Sequence, residues 1–261
     1  MATLITGAST GIGAEFARQF AARGDDLVLV ARSVDKLDAL AAQLRSTHPV
    51  DVTVIAMDLA EPDAASELFE RTTRLGLAVD VLVNNAGAGT HADVADADPQ
   101  RLEREVELNC RTVVGTTARY LPQMRARGFG TIINLASTAA FLALPKMAVY
   151  GASKAFVLSF TEALWHEERK NGIRVLAVCP GMTATSFFES AGESAVAAAS
   201  LSDTLHVTRT PKQVVDSTMR ALSGRKSSVV DGALNAVVWR GLTRLVPTRA
   251  MLAISGYLIE G

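Results

Sequence analysis

Residues 6–13 read Thr6-Gly7-Ala8-Ser9-Thr10-Gly11-Ile12-Gly13, and this stretch carries the strongest information about the fold. A short apolar strand precedes it, and a helical pattern with Phe16 and Phe20 on one side follows. A glycine-rich turn between a strand and a helix brings backbone amides and a helix N-terminus close to a phosphate. Taken alone, such a cluster is also compatible with an ordinary tight turn. In this position we predict a cofactor-binding turn made by Gly7, Ser9, Thr10, Gly11, Ile12 and Gly13.

The rest of the chain alternates apolar strands with helical patterns. Strands are predicted at 27–31, 52–57, 79–83, 130–135, 174–179 and 227–230. Helices are predicted at 34–45, from 62 to about 75, from 98 toward 124, at 148–169 and at 210–224. Strands that are apolar without alternation are typical of parallel sheets, and repeated βα units imply right-handed crossovers. The sequence therefore predicts one α/β domain over residues 1–261, a Rossmann-like doubly wound parallel sheet with helices on both faces.

Composition excludes several classes of function. The net charge of −1 over 261 residues argues against a nucleic-acid partner, which would require a basic face. Cys110 and Cys179 are too few and too far apart for a disulfide framework or a metal cluster, so no metal site is expected. A motif that begins at Thr6 leaves no room for a signal peptide, and no apolar run reaches the roughly 18 residues of a membrane span. We expect a cytoplasmic protein.

A second motif carries the chemistry. Tyr150 and Lys154 are one helical turn apart, and Ser137 lies upstream of both. Residues four apart project from the same helix face, so the phenol and the ammonium should lie side by side. A nearby cation stabilises a phenolate and lowers the pKa of the tyrosine, which can then exchange a proton with a reacting oxygen. An ordinary surface Tyr–Lys pair is the alternative.

With these motifs in place, the chain resembles the short-chain dehydrogenase/reductase family of standard length. The resemblance covers residues 6–185 and rests on Thr6-Gly7-x-x-x-Gly11-x-Gly13, Asp58-Leu59, Asn84-Asn85-Ala86-Gly87, Asn109, Ser137, Tyr150-x-x-x-Lys154 and Pro180-Gly181-x-x-x-Thr185. It implies an enzyme that transfers hydride between a nicotinamide cofactor and a carbonyl or secondary alcohol. The cofactor would lie along the carboxyl ends of the strands.

The resemblance also implies catalytic roles. Tyr150 would be the general acid for carbonyl reduction and the base for alcohol oxidation. Lys154 would lower the pKa of Tyr150 and hydrogen-bond the nicotinamide ribose. Ser137 would hold the substrate oxygen where negative charge develops. Asn109 would anchor a water that links Lys154 to solvent; a helix asparagine that points to solvent is its alternative.

Further residues are expected around the cofactor. Asn85, Ala86 and Gly87 would pass beside the adenosine ribose, although they also suit a simple turn. Asp58 and Leu59 would lie near the adenine, with a helix cap as the alternative for Asp58. Pro180 and Gly181 would break a strand, so that the backbone after them reaches the nicotinamide carboxamide. The hydroxyls of Thr183 and Thr185 would then contact the carboxamide and the pyrophosphate.

The end of the second strand decides between NADP(H) and NAD(H). An NAD site has a carboxylate there that accepts hydrogen bonds from the ribose hydroxyls. This chain has Ala31-Arg32-Ser33 at that place. Arg32 can pair with a 2′-phosphate and stack on adenine. Asp35 lies close enough in sequence to leave NAD(H) as the alternative. We predict NADP(H).

The substrate side is less specified. Residues 182–209 are predicted to form a substrate lid, with Phe187, Phe188 and an alanine run at 195–199. Phe141, Leu142 and Leu144 should line the same pocket. Because residues 182–208 contain no Arg or Lys, an anionic headgroup has no evident partner there. We therefore predict that the substrate is a lipophilic ketone, aldehyde or secondary alcohol. The alternative is that these apolar residues only pack the lid against the core.

The C-terminal extension, residues 225–261, has an apolar stripe that suits packing on the core or on another subunit, or peripheral contact with a membrane. The family resemblance implies a homodimer, with a tetramer also open. Three alternatives to an NADP-dependent reductase remain: an NAD-dependent alcohol dehydrogenase or an epimerase of the same fold, a non-catalytic NADP-binding sensor, and a scaffolding protein.

Overall fold

The fold is a parallel sheet covered by helices on both faces, as predicted. The computed structural model describes residues 1–185, 187 and 208–232 and the single positions 241, 249 and 252. Within these residues the sheet has seven strands in the order β3-β2-β1-β4-β5-β6-β7, and every neighbouring pair is parallel. The strands are Ala2–Thr6 (β1), Asp26–Ala31 (β2), Val52–Ala56 (β3), Val79–Asn84 (β4), Gly130–Leu135 (β5), Ile173–Cys179 (β6) and Ser228–Val230 (β7).

Each face of the sheet has its own apolar layer. The helices are Gly11–Ala22 (α1), Val34–Thr47 (α2), Ala64–Arg74 (α3), Pro99–Val106 (α4), Thr112–Arg127 (α5), Ala148–Glu168 (α6) and Pro211–Leu222 (α7). Phe16, Leu37 and Val214 place α1, α2 and α7 on one face. Leu68, Tyr120 and Leu164 belong to the second layer, with α3, α5 and α6. Burying a large apolar side chain contributes about 2 kcal/mol, so both layers hold the sheet rigid.

The long helix predicted from residue 98 is interrupted. Asp98 caps α4 by accepting a hydrogen bond from the Gln100 amide, and Pro99 follows it, as predicted. A π turn, Glu107–Arg111, then joins α4 to α5. The prediction of one continuous α-helix is wrong in this detail. Asn109 lies within the π turn, and such turns occur frequently at functional sites.

A buried polar network fixes α5 and α6 on the centre of the sheet. The Asn84 amide donates to Asn134 Oδ1 at 2.9 Å, and the Asn134 amide donates to Thr161 Oγ1 at 3.0 Å. Thr116 donates to Asn84 Oδ1 at 2.8 Å. All four side chains are buried, so these bonds act in a low dielectric where they are strong and geometrically demanding. Asn84 is therefore a structural residue that positions the helices carrying Asn109 and Tyr150.

Two predicted segments lie largely outside the described residues. They are most of the lid 182–209, including Phe188 and the alanine run, and most of the extension 225–261, including its apolar stripe. Their functions, and the single-domain assignment for the whole of 1–261, stay predictions. Across the described part of the chain, no helix combines the length and the hydropathy that crossing a membrane would require.

Candidate active site

The candidate site is a cleft at the carboxyl ends of the strands. β1 pairs with both β2 and β4, and ligands bind at such a switch point in open α/β sheets. The cleft has a volume of about 680 Å³. Every predicted site residue lines it except Gly13 and Asn109, which touch its wall. The lining set is Gly7, Ser9, Thr10, Gly11, Ile12, Arg32, Asp58, Leu59, Asn85, Ala86, Gly87, Ser137, Tyr150, Lys154, Pro180, Gly181, Thr183 and Thr185.

The glycine turn depends on close backbone approach. Gly7 has a φ of +65°, a conformation that other residues rarely adopt. A Cβ on Gly13 would lie 2.2 Å from the Gly7 carbonyl oxygen and 2.6 Å from the Asn85 amide nitrogen. The first turn of α1 can therefore approach the end of β1 only because glycine stands at position 13.

The N-terminus of α1 is left open for an anion. Thr10, at the N-cap position, makes no side-chain capping bond, and the first turn carries no acidic residue. The first amides of a helix lack partners within the helix, and their partial positive charge favours a phosphate. An uncapped helix that faces the cleft beside a glycine turn fits the pyrophosphate of a dinucleotide.

Two polar side chains lock the turn to the neighbouring strand. Thr6 Oγ1 donates to the Val83 carbonyl at 3.2 Å and accepts from the amides of Asn85 and Ala86 at 2.9 and 3.0 Å. The Asn85 side-chain amide donates to the Thr6 carbonyl at 2.9 Å. Asn85 thus lines the cleft and also stabilises the turn, while its contact with an adenosine ribose stays a prediction.

The corner at the end of β2 is basic. Arg32 is exposed and lines the cleft together with Ser33 and Lys36, whereas Asp35 is absent from the described lining. Lys36 was missed by the sequence analysis, although it stands one turn beyond Arg32. Two cations at the end of this strand favour a 2′-phosphate over free ribose hydroxyls.

Asp58 lies two residues beyond β3, the strand next to β2, and is engaged twice. Its Oδ1 accepts from the Ala60 amide at 2.9 Å within the loop before α3. The helix-cap alternative is wrong, because the N-cap residue of α3 is Asp63. Asp58 Oδ2 accepts from Arg104 at 2.8 Å, and Arg104 also pairs with Glu61 at 3.1 Å. Arg104 lines the cleft and was likewise missed. Leu59 is buried, and its carbonyl accepts from Thr112 at 2.6 Å.

The three predicted catalytic groups meet in the cleft. Ser137 ends the loop after β5, at the N-cap of a short 3₁₀ turn, Thr138–Phe141. Its Oγ accepts from the Ala139 amide at 3.1 Å, and its interaction with Tyr150 favours a lower pKa of the phenol. Lys154 Nζ donates to the Leu135 carbonyl at 2.9 Å and lies 5.7 Å from the centroid of the Tyr150 ring. Phenol, ammonium and hydroxyl therefore share one wall.

Burial dominates the titration of this pair. It raises the pKa of Tyr150 to about 12, and the Glu105 charge adds to the increase while the interaction with Ser137 opposes it. It lowers the pKa of Lys154 to about 8. The prediction that Lys154 holds the pKa of Tyr150 below its usual value is wrong for this structure, because desolvation of the phenolate outweighs the nearby ammonium.

Asn109 is buried and fully engaged. Its side-chain amide donates to the Ala88 carbonyl at 2.9 Å and to Ser153 Oγ at 3.0 Å, while its Oδ1 accepts from the Ala88 amide at 3.0 Å. The solvent-facing alternative is wrong, since the residue is only 1% exposed. A Cβ on Gly87 would lie 3.2 Å from Asn109 Oδ1 and 3.3 Å from Lys154 Nζ, so both groups converge on this glycine. The predicted water at Asn109 stays a prediction.

The loop after β6 closes the cleft on another side. The Thr183 hydroxyl donates to the Gly181 carbonyl at 2.9 Å, and Thr183 pairs with Arg209 in an isolated bridge. Arg209 in turn donates to buried Asp231 at 2.8 Å. Thr185 packs so closely that a Cβ on Gly11 would lie 2.9 Å from its methyl group. The contacts of Thr183 and Thr185 with a carboxamide or pyrophosphate stay predictions.

The predicted substrate pocket is only partly right. Phe187 lines the cleft, with its ring centroid 5.3 Å from that of Tyr150. Phe141 instead packs in a core cluster with Val157 and Cys179. Leu142 and Leu144 lie against Gly151, and none of these three residues lines the cleft in the described part of the chain. Phe141 ends the 3₁₀ turn after Ser137 and is partly buried against that cluster, which is why it does not line the cleft.

The cleft also contains an acid that the sequence analysis missed. Glu105 lines it and is 2% exposed. It stands four residues before Asn109, a spacing that places two residues of a regular α-helix on one face. That spacing was the available signal, but Glu103 and Glu107 on either side are typical of a solvated helix face.

Known proteins share this fold. Residues 1–195 match the family model for short chain dehydrogenases. A short-chain dehydrogenase from Sphingobium yanoikuyae in complex with NADPH has a TM-score of 0.83 and 34% identity, covering 94% of this chain and 92% of that one. A 7beta-hydroxysteroid dehydrogenase has a TM-score of 0.87 and 27% identity, covering 98% and 96%. The human very-long-chain 3-oxoacyl-CoA reductase is 33% identical over 187 residues, which is 70% of this chain but only 59% of that protein.

Proposed function

Because the chain belongs to the short-chain dehydrogenase/reductase family, we propose that it is an NADP(H)-dependent oxidoreductase acting on the carbonyl or secondary alcohol of a lipophilic substrate. One observation carries the proposal. Tyr150, Lys154 and Ser137 stand in the same cleft as the glycine turn and the uncapped end of α1. A proton donor beside a dinucleotide cradle is the arrangement that carbonyl reduction needs.

The chain's own residues supply the proton chemistry. Reduction adds a hydride to the carbonyl carbon and a proton to its oxygen; NADP(H), when bound, supplies the hydride. The raised pKa of Tyr150 keeps the phenol protonated at neutral pH, which is the state required to protonate the oxygen. Ser137 would donate to the same oxygen as negative charge develops on it. The Lys154 ammonium stabilises the phenolate that remains once the proton has left.

The basic corner supports NADP(H) as the cofactor. Arg32 and Lys36 line the cleft where a 2′-phosphate would lie, and Asp35 does not line it. An arginine fork binds phosphate oxygens in a bidentate manner, whereas a carboxylate there would repel them. The relative from Sphingobium yanoikuyae, solved with NADPH, agrees with this choice.

Two observations support a lipophilic substrate. The Phe187 ring lies against Tyr150, so an apolar surface borders the proposed proton donor. Residues 182–208 carry no Arg or Lys that could hold an anionic headgroup. The names of the relatives, which refer to very-long-chain oxoacyl and hydroxysteroid substrates, point the same way.

We further propose a cytoplasmic homodimer that pairs through α4, α5 and α6, with a tetramer and peripheral membrane contact of the extension as alternatives. Phe156 on α6 is 43% exposed and stacks on Phe160, and Val106 on α4 is also exposed. Apolar side chains of this size on the outer faces of neighbouring helices favour a subunit contact.

The proposal is tested by NADPH oxidation with a panel of carbonyl compounds. The panel contains long-chain 3-oxoacyl thioesters, steroid ketones, bulky aromatic ketones, aldehydes and small polar ketoses, each assayed with NADPH and with NADH. We expect the highest kcat/KM with a lipophilic compound and NADPH. A best substrate that is small and charged would refute the lipophilic assignment. Tight NADPH binding without turnover of any compound would favour the non-catalytic sensor.

A further inference from the structure

Glu105 is a buried acid that the mechanism above does not use. It lies near the C-terminal end of α4, two residues before the π turn, with its side chain in the wall of the cleft. Neither carboxylate oxygen receives a hydrogen bond of ordinary distance and angle from the residues that the structure describes. Leaving a buried polar group unpaired costs about 1–3 kcal/mol, so a group of this kind calls for a functional explanation.

The surroundings of Glu105 link it to the catalytic pair. Lys154 and Arg101 are the cations that act on it, and the Thr90 hydroxyl and amide also favour its ionised form. Burial outweighs all of them and raises the pKa of the carboxyl group. Its charge in turn raises the pKa of Lys154, Tyr150 and Cys110. The titrations of Glu105 and Lys154 are therefore coupled, in a cleft whose wall both side chains line.

The proton path needs a group of this kind. Tyr150 gives up one proton for each carbonyl reduced, and Lys154 is the adjacent group that can replace it. Asn109 is the residue expected to carry the proton path onward. Its side-chain amide donates to the Ala88 carbonyl and to Ser153 Oγ. No N–H of that amide is left for a relay. Glu105 is a buried ionisable side chain in the cleft wall whose charge acts on Lys154.

We propose that Glu105 is a proton-relay residue, which passes protons from solvent to Lys154 and so restores the proton that Tyr150 gives to the substrate. The inference rests on the proposed function. In one cycle the Tyr150 O–H bond breaks as the substrate O–H bond forms, and a Lys154 N–H proton reprotonates the phenolate. The Glu105 carboxyl proton then returns to the Lys154 amine through intervening water, and a proton taken up from solvent restores the carboxyl group. Glu105 acts through Lys154 and does not touch the substrate.

The first test is Glu105→Gln, which keeps the size of the side chain and removes its acidity. We expect kcat to fall about tenfold and the solvent isotope effect on kcat to rise, because proton return becomes slow. The Kd for NADPH should stay within about twofold of the original value, because phosphate and ribose contacts are untouched. Added formate or acetate should restore part of the lost rate, and Glu105→Asp should retain more activity than Glu105→Gln. A purely structural role would produce neither rescue.

The matched control is Glu103→Gln, an exposed acid on the same helix that does not line the cleft. It should leave kcat, the isotope effect and the pH profile unchanged. If Glu105→Gln has the same kcat and pH profile as this control, the relay is wrong. A loss of kcat with an equal loss of NADPH affinity and no rescue by formate also overturns it.

A second measurement does not need turnover. Infrared difference spectroscopy can follow the carboxyl band that disappears in Glu105→Gln as the protein is titrated. We expect the midpoint of this band to move to higher pH in Lys154→Met, since the cation that favours the carboxylate is gone. An unchanged midpoint refutes the relay even if the carbonyl panel finds a substrate. If no compound of the carbonyl panel is reduced, the proposed function is refuted, even where Lys154→Met shifts the titration midpoint of Glu105.

Discussion

The two ends of the cleft hold their polar groups in opposite ways. At the phosphate end, residues 7–13 carry no ionisable side chain, and Thr6 and Asn85 satisfy the backbone around them. At the catalytic end stand three ionisable side chains, Tyr150, Lys154 and Glu105. Burial shifts the pKa of each in the direction that favours its neutral form. The first end serves binding and stability with the same contacts. The second end serves chemistry at a cost in stability.

The largest expected effect is at the catalytic end. Tyr150→Phe keeps the ring that packs on Phe187 and removes the proton donor. We expect kcat to fall by about 10³-fold, within the range of general acid catalysis, with an unchanged Kd for NADPH measured by fluorescence. The control is Tyr120→Phe, which removes a buried hydroxyl that bonds Thr72 at 2.8 Å. It should cost about 1 kcal/mol of stability and leave kcat intact. A loss of less than tenfold in Tyr150→Phe would contradict the proposed acid.

At the phosphate end, Gly13→Ala should damage folding and binding together. Its Cβ would meet the Gly7 carbonyl oxygen at 2.2 Å, and backbone cannot move aside cheaply. We expect a loss of about 3 kcal/mol in urea unfolding, with weakened NADPH binding. Gly224→Ala is the control, because its Cβ would make only an ordinary 3.5 Å contact. Equal stability losses in the two variants would show that the turn is looser than its geometry implies.

Lys154→Met should separate activity from stability. The pKa of Lys154 is about 8 in the folded protein, against 10.5 for an ordinary lysine. Below pH 8 both folded and unfolded chains hold the proton, and the folded state bears a desolvation cost of up to about 3 kcal/mol. Between pH 8 and 10.5 the unfolded chain binds more protons, so stability rises with pH and the cost disappears. Urea unfolding should therefore find the variant more stable at pH 7 and close to the original protein near pH 10.5. A Lys154→Met variant that is less stable than the original protein at pH 7 would contradict the desolvation cost assigned to Lys154.

Arg32→Ala should give the smallest effect. We expect the KM for NADPH to rise about tenfold and that for NADH by less than about twofold, since only NADPH carries the 2′-phosphate. Lys36→Ala should act in the same direction but less strongly, and exposed Lys170→Ala should change neither KM. Steady-state kinetics with both cofactors checks this. Equal effects of Arg32→Ala on the two cofactors would refute its assignment to the phosphate.

The sequence predicts the features that local geometry determines. Gly7 and Gly13 are recognisable because a strand, a tight turn and a helix follow one another in a few residues. Tyr150 and Lys154 are recognisable because one helical turn places them together. In both cases the relevant neighbours are close in sequence, so spacing alone indicates the contact.

The features that were missed depend on packing between distant segments. Lys36, Arg104 and Glu105 face the cleft because of how α2 and α4 pack, and no local pattern separates them from solvated charges. The sign of the Tyr150 pKa shift follows from burial, which many elements create together. Phe141 was misplaced because a four-residue 3₁₀ turn has no clear signature in the sequence.

The π turn between α4 and α5 has a consequence for how this site tolerates insertions and deletions. Thr112 and Thr116 tie the far side of the turn to Leu59 and Asn84. A π turn holds one residue more than regular helix, and each residue of an α-helix advances the chain by about 100° of rotation. Shortening the turn by one residue would swing α4 through that angle while α5 stays in place, carrying Glu105 out of the wall. The length of the Glu107–Arg111 stretch, rather than its composition, therefore sets the phase at which α4 presents its acid.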